Sequence, residues 1–214
     1  MSICKILRAG DPVLRKASKL VPTFDKRVEK LVSDMAATLK VQKDPIGVGL
    51  AAPQVGRSIR LFLAKIGSKP IVFINPEITW MSKASNDSST HSTRKLQDFQ
   101  SSAQAHKKPG NPVTEKPDNQ EKEYLMEGCL SLPHYYSPVQ RAAQVRVTYQ
   151  TPKKMANGQW LMVKVEKHYK GLSAQIVQHE VDHLNGKLFI DRLLEQNRKL
   201  YEQKGKEWVE VELP

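Results

Sequence analysis

Apolar side chains recur with helical spacing at Val28, Leu31, Val32, Met35, Ala36 and Leu39, which predicts an amphipathic helix over 25–39. The stretch 46–55 is rich in Gly and Ala and follows no period. Residues 59–66 and 71–74 are dense in apolar and β-branched side chains and predict two strands, the second ending at Asn75-Pro76. Residues 145–149 and 160–165 predict two more, joined through the turn Ala156-Asn157-Gly158. Gly171 introduces a second helix over 173–184, with Ser173 as its cap and Gly186 just past its end. A third helix is predicted over 191–203, broken at Gly205, and the alternating tail 208–213 reads as a short terminal strand. Helices interspersed among mostly antiparallel strands make this an α+β fold, with the second helix at its centre.

Residues 83–122 interrupt the pattern. Ser, Asn, Gln, Lys, Thr and Pro dominate there, and only Leu96, Phe99 and Val113 offer large apolar groups. So little apolar surface does not offset the entropy of ordering a chain, which predicts a flexible, low-complexity insertion within one domain spanning 1–214. A hydrophobic fraction of 39% and a mean hydropathy of −0.51 describe a soluble chain. No apolar run reaches the length of a membrane span, so no membrane partner is expected. The opening MSICKILRAGDPVLRK lacks the apolar stretch of a secretory signal, which places the protein in the cytoplasm.

The net charge of +12 is uneven: residues 1–82 hold 14 Lys/Arg against 6 Asp/Glu. Such an excess favours polyanionic neighbours. No paired-Cys finger, RNP-like aromatic run or Arg-rich tract accompanies it, so a sequence-specific nucleic-acid reader is not expected.

The strongest chemical signal is Gln178-His179-Glu180-Val181-Asp182-His183-Leu184 on the second helix. Histidines four apart share a helical face, about 6 Å apart along the axis at 1.5 Å per residue. That spacing lets two imidazoles reach one metal ion, and Glu180 between them suits a base. The same pattern also fits two surface histidines on an amphipathic helix. A metal needs a further ligand. The position six after His183 is Phe189, which removes the metzincin arrangement, while Glu195 and Glu202 stand downstream. Upstream, Cys129 in Glu127-Gly128-Cys129-Leu130-Ser131-Leu132-Pro133 offers a thiolate. The only other cysteine, Cys4, sits in the apolar stretch 3–7 and reads as a small packing residue.

Three separated segments, taken together, resemble the motifs of peptide deformylases. They are Gly47-Val48-Gly49-Leu50-Ala51-Ala52-Pro53-Gln54, Glu127-Gly128-Cys129-Leu130-Ser131 and His179-Glu180-Val181-Asp182-His183-Leu184, in the family's order. The flanks 8–15 and 186–191 agree, and the resemblance covers nearly everything outside 83–122. It implies removal of the formyl group from N-formyl-methionyl nascent peptides, with a transient ribosomal partner. It implies that Cys129, His179 and His183 hold one divalent ion, Fe2+ by family habit, with Zn2+, Ni2+ or Co2+ also accepted. Glu180 becomes the base, Gln54 and the Leu130 backbone N–H meet the oxyanion, and Gly49 binds substrate. The resemblance also implies that Glu127 and Arg141 pair to brace the cysteine loop. Two other readings are an idle ribosome-associated binding factor, opposed by the intact Glu180 and ligand set, and a zincin endopeptidase, opposed by Phe189 and the cysteine motif.

Overall fold

A computed structural model describes residues 2–83, 126–205 and 207–212. The predicted insertion therefore lies outside the described residues from position 84 onward. Among these residues the fold is α+β, with two antiparallel sheets gathered around one buried helix.

The first helix, α1 (Lys26–Val41), starts where the Asp25 carboxylate accepts from the backbone N–H groups of Arg27 and Val28, both at 2.9 Å. Its predicted stripe faces inward, with Met35 and Leu39 fully buried. The large sheet runs β1 (Gly49–Ala51), β2 (Leu61–Lys65), β3 (Pro70–Met81), β6 (Gln144–Lys154) and β7 (Trp160–Lys170), in that order. The smaller sheet joins β4 (Glu127–Cys129), β5 (Leu132–Ser137), β8 (Leu200–Lys204) and β9 (Glu207–Val211). The helix α2 (Leu172–Leu184) lies against the large sheet, and α3 (Phe189–Glu195) follows it.

Side-chain alternation in β2 explains why this sheet has a core on each face. Leu61 and Leu63 join Met35 and Leu39 of α1, whereas Phe62 and Ala64 join Phe73, Val147, Val177 and Val181 on the α2 side. A third cluster sets Cys129 among Val139, Phe189, Leu193 and Leu200. Every residue of α2 from Ala174 to Leu184 is buried. Its polar residues therefore have no solvent face, and the hydrogen bonds they make must come from one another and from neighbouring segments.

Several predicted boundaries move. The strand predicted over 71–74 continues through Asn75-Pro76 to Met81, and its register against β6 shifts between Ile74 and Glu77. A bulge there leaves the missing Pro76 N–H without a ladder partner to disappoint. The strands β6 and β7 are longer than predicted, pairing from Gln144↔Lys170 to Lys154↔Trp160. Gly171, at φ 55°, rather than Ser173, caps α2, and its carbonyl accepts the Gln175 N–H at 3.0 Å. The helix predicted over 191–203 is wrong in its second half. It stops at Glu195, and Asn197 turns left-handed (φ 50°). Arg198 N–H then reaches Leu193 O at 3.0 Å and Asn197 N–H reaches Leu194 O at 3.1 Å, a Schellman ending with Asn in the usual glycine position. Residues 200–204 leave as strand β8 instead.

Candidate metal centre

The cysteine and both histidines meet in the interior. Cys129, at the end of β4, places Sγ 3.2 Å from His183 Nε2, which lies 3.1 Å from His179 Nε2. All three ligand atoms lie within 4.8 Å of one another. His179 and His183 are 8% and 1% exposed, which removes the surface-histidine alternative. Tetrahedral ligation at ordinary zinc bond lengths sets neighbouring sulfur and nitrogen donors about 3.3–3.6 Å apart. The Cys129–His183 and His183–His179 separations fall within a few tenths of an ångström of that.

The electronic arrangement also fits a cation. His179 Nδ1 lies 2.8 Å from Glu127 Oε1, so a neutral imidazole donates there and turns its Nε2 lone pair toward the cluster. The thiol has company as well: Gln54 Nε2 and the Ser131 backbone N–H both lie 3.4 Å from Sγ. Burial disfavours the thiolate, yet the imidazoles of His183 and His179 outweigh it and hold the Cys129 thiol well below its ordinary range. Burial likewise opposes charge on His179, but Glu127 and Cys129 hold its pKa well above the usual histidine value. Negative charge on the Cys129 sulfur and positive charge on His179 stabilise each other. A divalent ion between the three donors satisfies the same electrostatics with both rings neutral. Glu195 and Glu202, the downstream ligand candidates, lie elsewhere: Glu195 pairs with Lys187 and Arg192, and Glu202 with Lys204.

Glu180 stands beside this cluster and is not one of its ligand atoms. Burial pushes its carboxyl up to about 7, and Oε2 is buried with no hydrogen-bond partner among the described residues. A carboxyl poised near neutrality with an unpaired oxygen is suited to receive and release a proton. Gly49 in β1 passes directly over it, and a methyl group at that Cα would sit 2.7 Å from Glu180 Cδ. Only a residue without a side chain permits so close an approach.

Gln54 has a fixed orientation. Its Oε1 accepts the Ala51 N–H at 2.8 Å, which leaves Nε2 facing Cys129 and Ser131 Oγ, the latter at 3.2 Å. Leu130 closes the loop after Cys129, and its carbonyl accepts from Arg8 at 3.2 Å. A cavity of about 110 Å³ opens beside these groups, its apolar walls including Ile46, Val48, Leu130, Leu172 and Ile176. A larger cleft of about 610 Å³ lies behind α2 and contains none of the ligand residues.

Glu127 and Arg141 form the anticipated pair, a two-pronged bridge at 2.6 and 2.9 Å. Three partners escaped the sequence reading. Asp182 accepts from Arg141 at 2.6 Å, Arg192 grips Asp182 at 2.6 and 2.9 Å, and Gln175 donates to Glu127 at 3.3 Å. Asp182 lies inside the His179–His183 segment itself, and an acidic residue at that position was the available signal.

A buried, near-neutral carboxyl beside three convergent donor atoms, with an apolar recess next to it, is the arrangement a metal-dependent hydrolase needs. Comparison with known proteins narrows this. Residues 3–199 match the family model for polypeptide deformylase. A peptide deformylase from Desulfotalea psychrophila is 35% identical over 209 residues, 97% of this chain and 98% of that protein. The crystal structure of the Thermotoga maritima peptide deformylase is 33% identical, with a TM-score of 0.63 over 90% of this chain and 98% of that one. A class I type b peptide deformylase from Acinetobacter baumannii, solved with Met-Ala-Ser bound, is 28% identical, with a TM-score of 0.62 over 90% of this chain and 99% of that one. The chain belongs to the polypeptide deformylase family.

Proposed function

We propose that this protein removes the formyl group from the N-formyl-methionine of newly made polypeptides, with Cys129, His179 and His183 holding one divalent ion and Glu180 moving the proton. The observation that carries the reading is the unpaired, near-neutral carboxyl of Glu180 beside the three convergent ligand atoms. Fe2+ is our choice of ion, with Zn2+, Ni2+ and Co2+ compatible with a sulfur and two imidazoles. When bound, such an ion supplies Lewis acidity that polarises a carbonyl oxygen and acidifies water, less strongly under a thiolate than under three neutral imidazoles.

The protein's own groups account for the remaining steps. Glu180 takes a proton from the attacking water, whose oxygen bonds to the formyl carbon. Gln54 Nε2 and the Leu130 backbone N–H donate to the oxygen that gains negative charge. The backbone of Gly49 holds the substrate beside the reacting bond. Glu180 then passes its proton to the departing nitrogen, the C–N bond breaks, and formate and a free amine leave. The apolar walls of the 110 Å³ cavity accept the methionine side chain, and Glu127 with Arg141 keeps the cysteine loop and His179 in place. The +12 charge suits a transient ribosomal partner in the cytoplasm. No helix among the described residues is long and apolar enough to cross a membrane.

The test is formate release from a formyl-Met peptide by metal-replete wild type, Glu180→Gln and Glu180→Ala. Both variants are expected to keep their metal and lose turnover by 10² to 10⁴-fold, the usual contribution of a positioned base. Near-wild-type deformylation by metal-replete Glu180→Ala would defeat the reading.

A further inference from the structure

The contacts behind the metal site continue well beyond the pair that braces the cysteine loop. From His179 outward, charges alternate through Glu127, Arg141, Asp182, Arg192 and Glu195, each joined to the next at 2.6 to 2.9 Å. Side-chain exposure rises along the same path, from 4% at Glu127 and 5% at Arg141 to 7% at Asp182, 30% at Arg192 and 47% at Glu195. The row starts at an imidazole in the interior, passes along the wall of the 610 Å³ cleft behind α2 at Asp182 and Arg192, and ends in solvent at Glu195.

Two features make this more than a string of ion pairs. First, Asp182 lies three residues after His179 on α2, so both ends of the path His179–Glu127–Arg141–Asp182 belong to one rigid helix. The path and the helix close a ring, and the His179 imidazole cannot rotate without breaking a charged hydrogen bond. Second, each Glu127 oxygen already serves two donors. Oε1 takes Arg141 Nη2 and His179 Nδ1, and Oε2 takes Arg141 Nε and Gln175 Nε2. Arg141 therefore competes with His179 for the same carboxylate. Asp182 draws Arg141 outward through Nη1, which keeps part of the Glu127 charge for His179.

We propose that Asp182 is a positioning residue for His179, acting through Arg141 and Glu127, with Arg192 locking Asp182 from the cleft side. The proposal rests on the metal-centre reading above and assigns to that centre a support that spans the helix. Arg192 makes a fork onto Asp182, using Nε and Nη2 on the two carboxylate oxygens. Such a fork fixes the plane of the carboxylate as a point charge does not.

The test measures Co2+ affinity by chelator competition, and the visible spectrum of the Co2+ form, for wild type, Asp182→Asn, Arg192→Gln and a core control, Phe62→Leu. Asparagine keeps the size of Asp182 but not its charge. We expect Asp182→Asn to bind Co2+ about tenfold more weakly, the lower end of what losing a ligand's direct partner costs. The sulfur-to-cobalt band should persist while the ligand-field bands shift, because Cys129 is intact and one imidazole is loosened. Phe62→Leu lowers the melting temperature without touching the ring and should leave Co2+ affinity within twofold. Should Asp182→Asn fail to fold, Arg192→Gln decides: a loss of threefold or more supports the proposal and wild-type affinity overturns it. Asp182→Asn with wild-type affinity and spectrum overturns it, as does an equal loss in Phe62→Leu. A wild-type chain that takes up no metal defeats the metal-centre reading instead.

Discussion

Replacing Gly49 with alanine probes the proposed base, Glu180, without altering a single polar group. The added methyl meets Glu180 Cδ at 2.7 Å and Cγ at 3.0 Å, with the carboxylate oxygen Oε1 nearer still. Comfortable carbon contacts begin near about 3.5 Å, so the carboxyl carbon must retreat by roughly 0.8 Å. Residues 174–184 of α2 are buried throughout, so the backbone yields little and the shift falls on the Glu180 side chain. Misplacing a catalytic group by about 1 Å costs on the order of 10²-fold, equivalent to about 2.7 kcal/mol of barrier. Overpacking adds about 1–3 kcal/mol of lost stability. The assay is kcat for formate release at saturating formyl-Met peptide, with metal content measured on the same sample. The expected outcome is a kcat roughly 100-fold down at one metal per chain, above the floor set by Glu180→Gln. A metal-replete Gly49→Ala protein within threefold of wild type refutes the idea that this glycine protects the position of Glu180.

Two further outcomes are expected. Cys129→Ser should lose its metal rather than merely slow down, because a hydroxyl is a poor ligand at neutral pH, while Cys4→Ser should retain one ion per chain by elemental analysis. Phe62→Ala should cost about 3–5 kcal/mol in urea unfolding, since Phe62 is fully buried and stacks on Phe73 at 4.4 Å between centroids. A loss under about 1 kcal/mol would mean that the core on the α2 side collapses freely around the gap.

The three residues that converge in the interior could be singled out from the chain because their pattern is local: two histidines one helical turn apart, and a rare cysteine beside a glycine. Helix α1 was legible for a similar reason, its stripe and the Asp25 cap lying within one short window. What escaped depends on pairings distant along the chain. Residues 200–204 carry no strong strand signal of their own. They become a strand because Tyr201 and Glu202 meet Tyr136 and Tyr135 of β5, more than sixty residues away. Asn197 ended the predicted helix early by a left-handed turn, a conformation that Asn tolerates but does not announce. The deep burial of α2 was hidden too. A helix enclosed on all sides has no amphipathic signature, and Gln175, Gln178 and Asp182 make it look half exposed until their partners are in place.

The hairpin β8–β9 begins just past residue 199, where the match to the family model ends, and it changes which backbone the smaller sheet shows to the outside. Without it, the outer side of β5 would offer unpaired N–H and C=O groups next to the strand that ends in Cys129. With it, that side is occupied, and Trp208 closes edge-on over Tyr136 at 5.1 Å between centroids. The open edge has moved two strands outward to β9, five residues long and bearing Glu207 and Glu210. Short, charged edges are poor templates for another chain. A neighbouring molecule that attempts strand-to-strand association on that side of the sheet therefore meets acidic side chains, and Cys129 on β4 stays three strands away from any contact so formed.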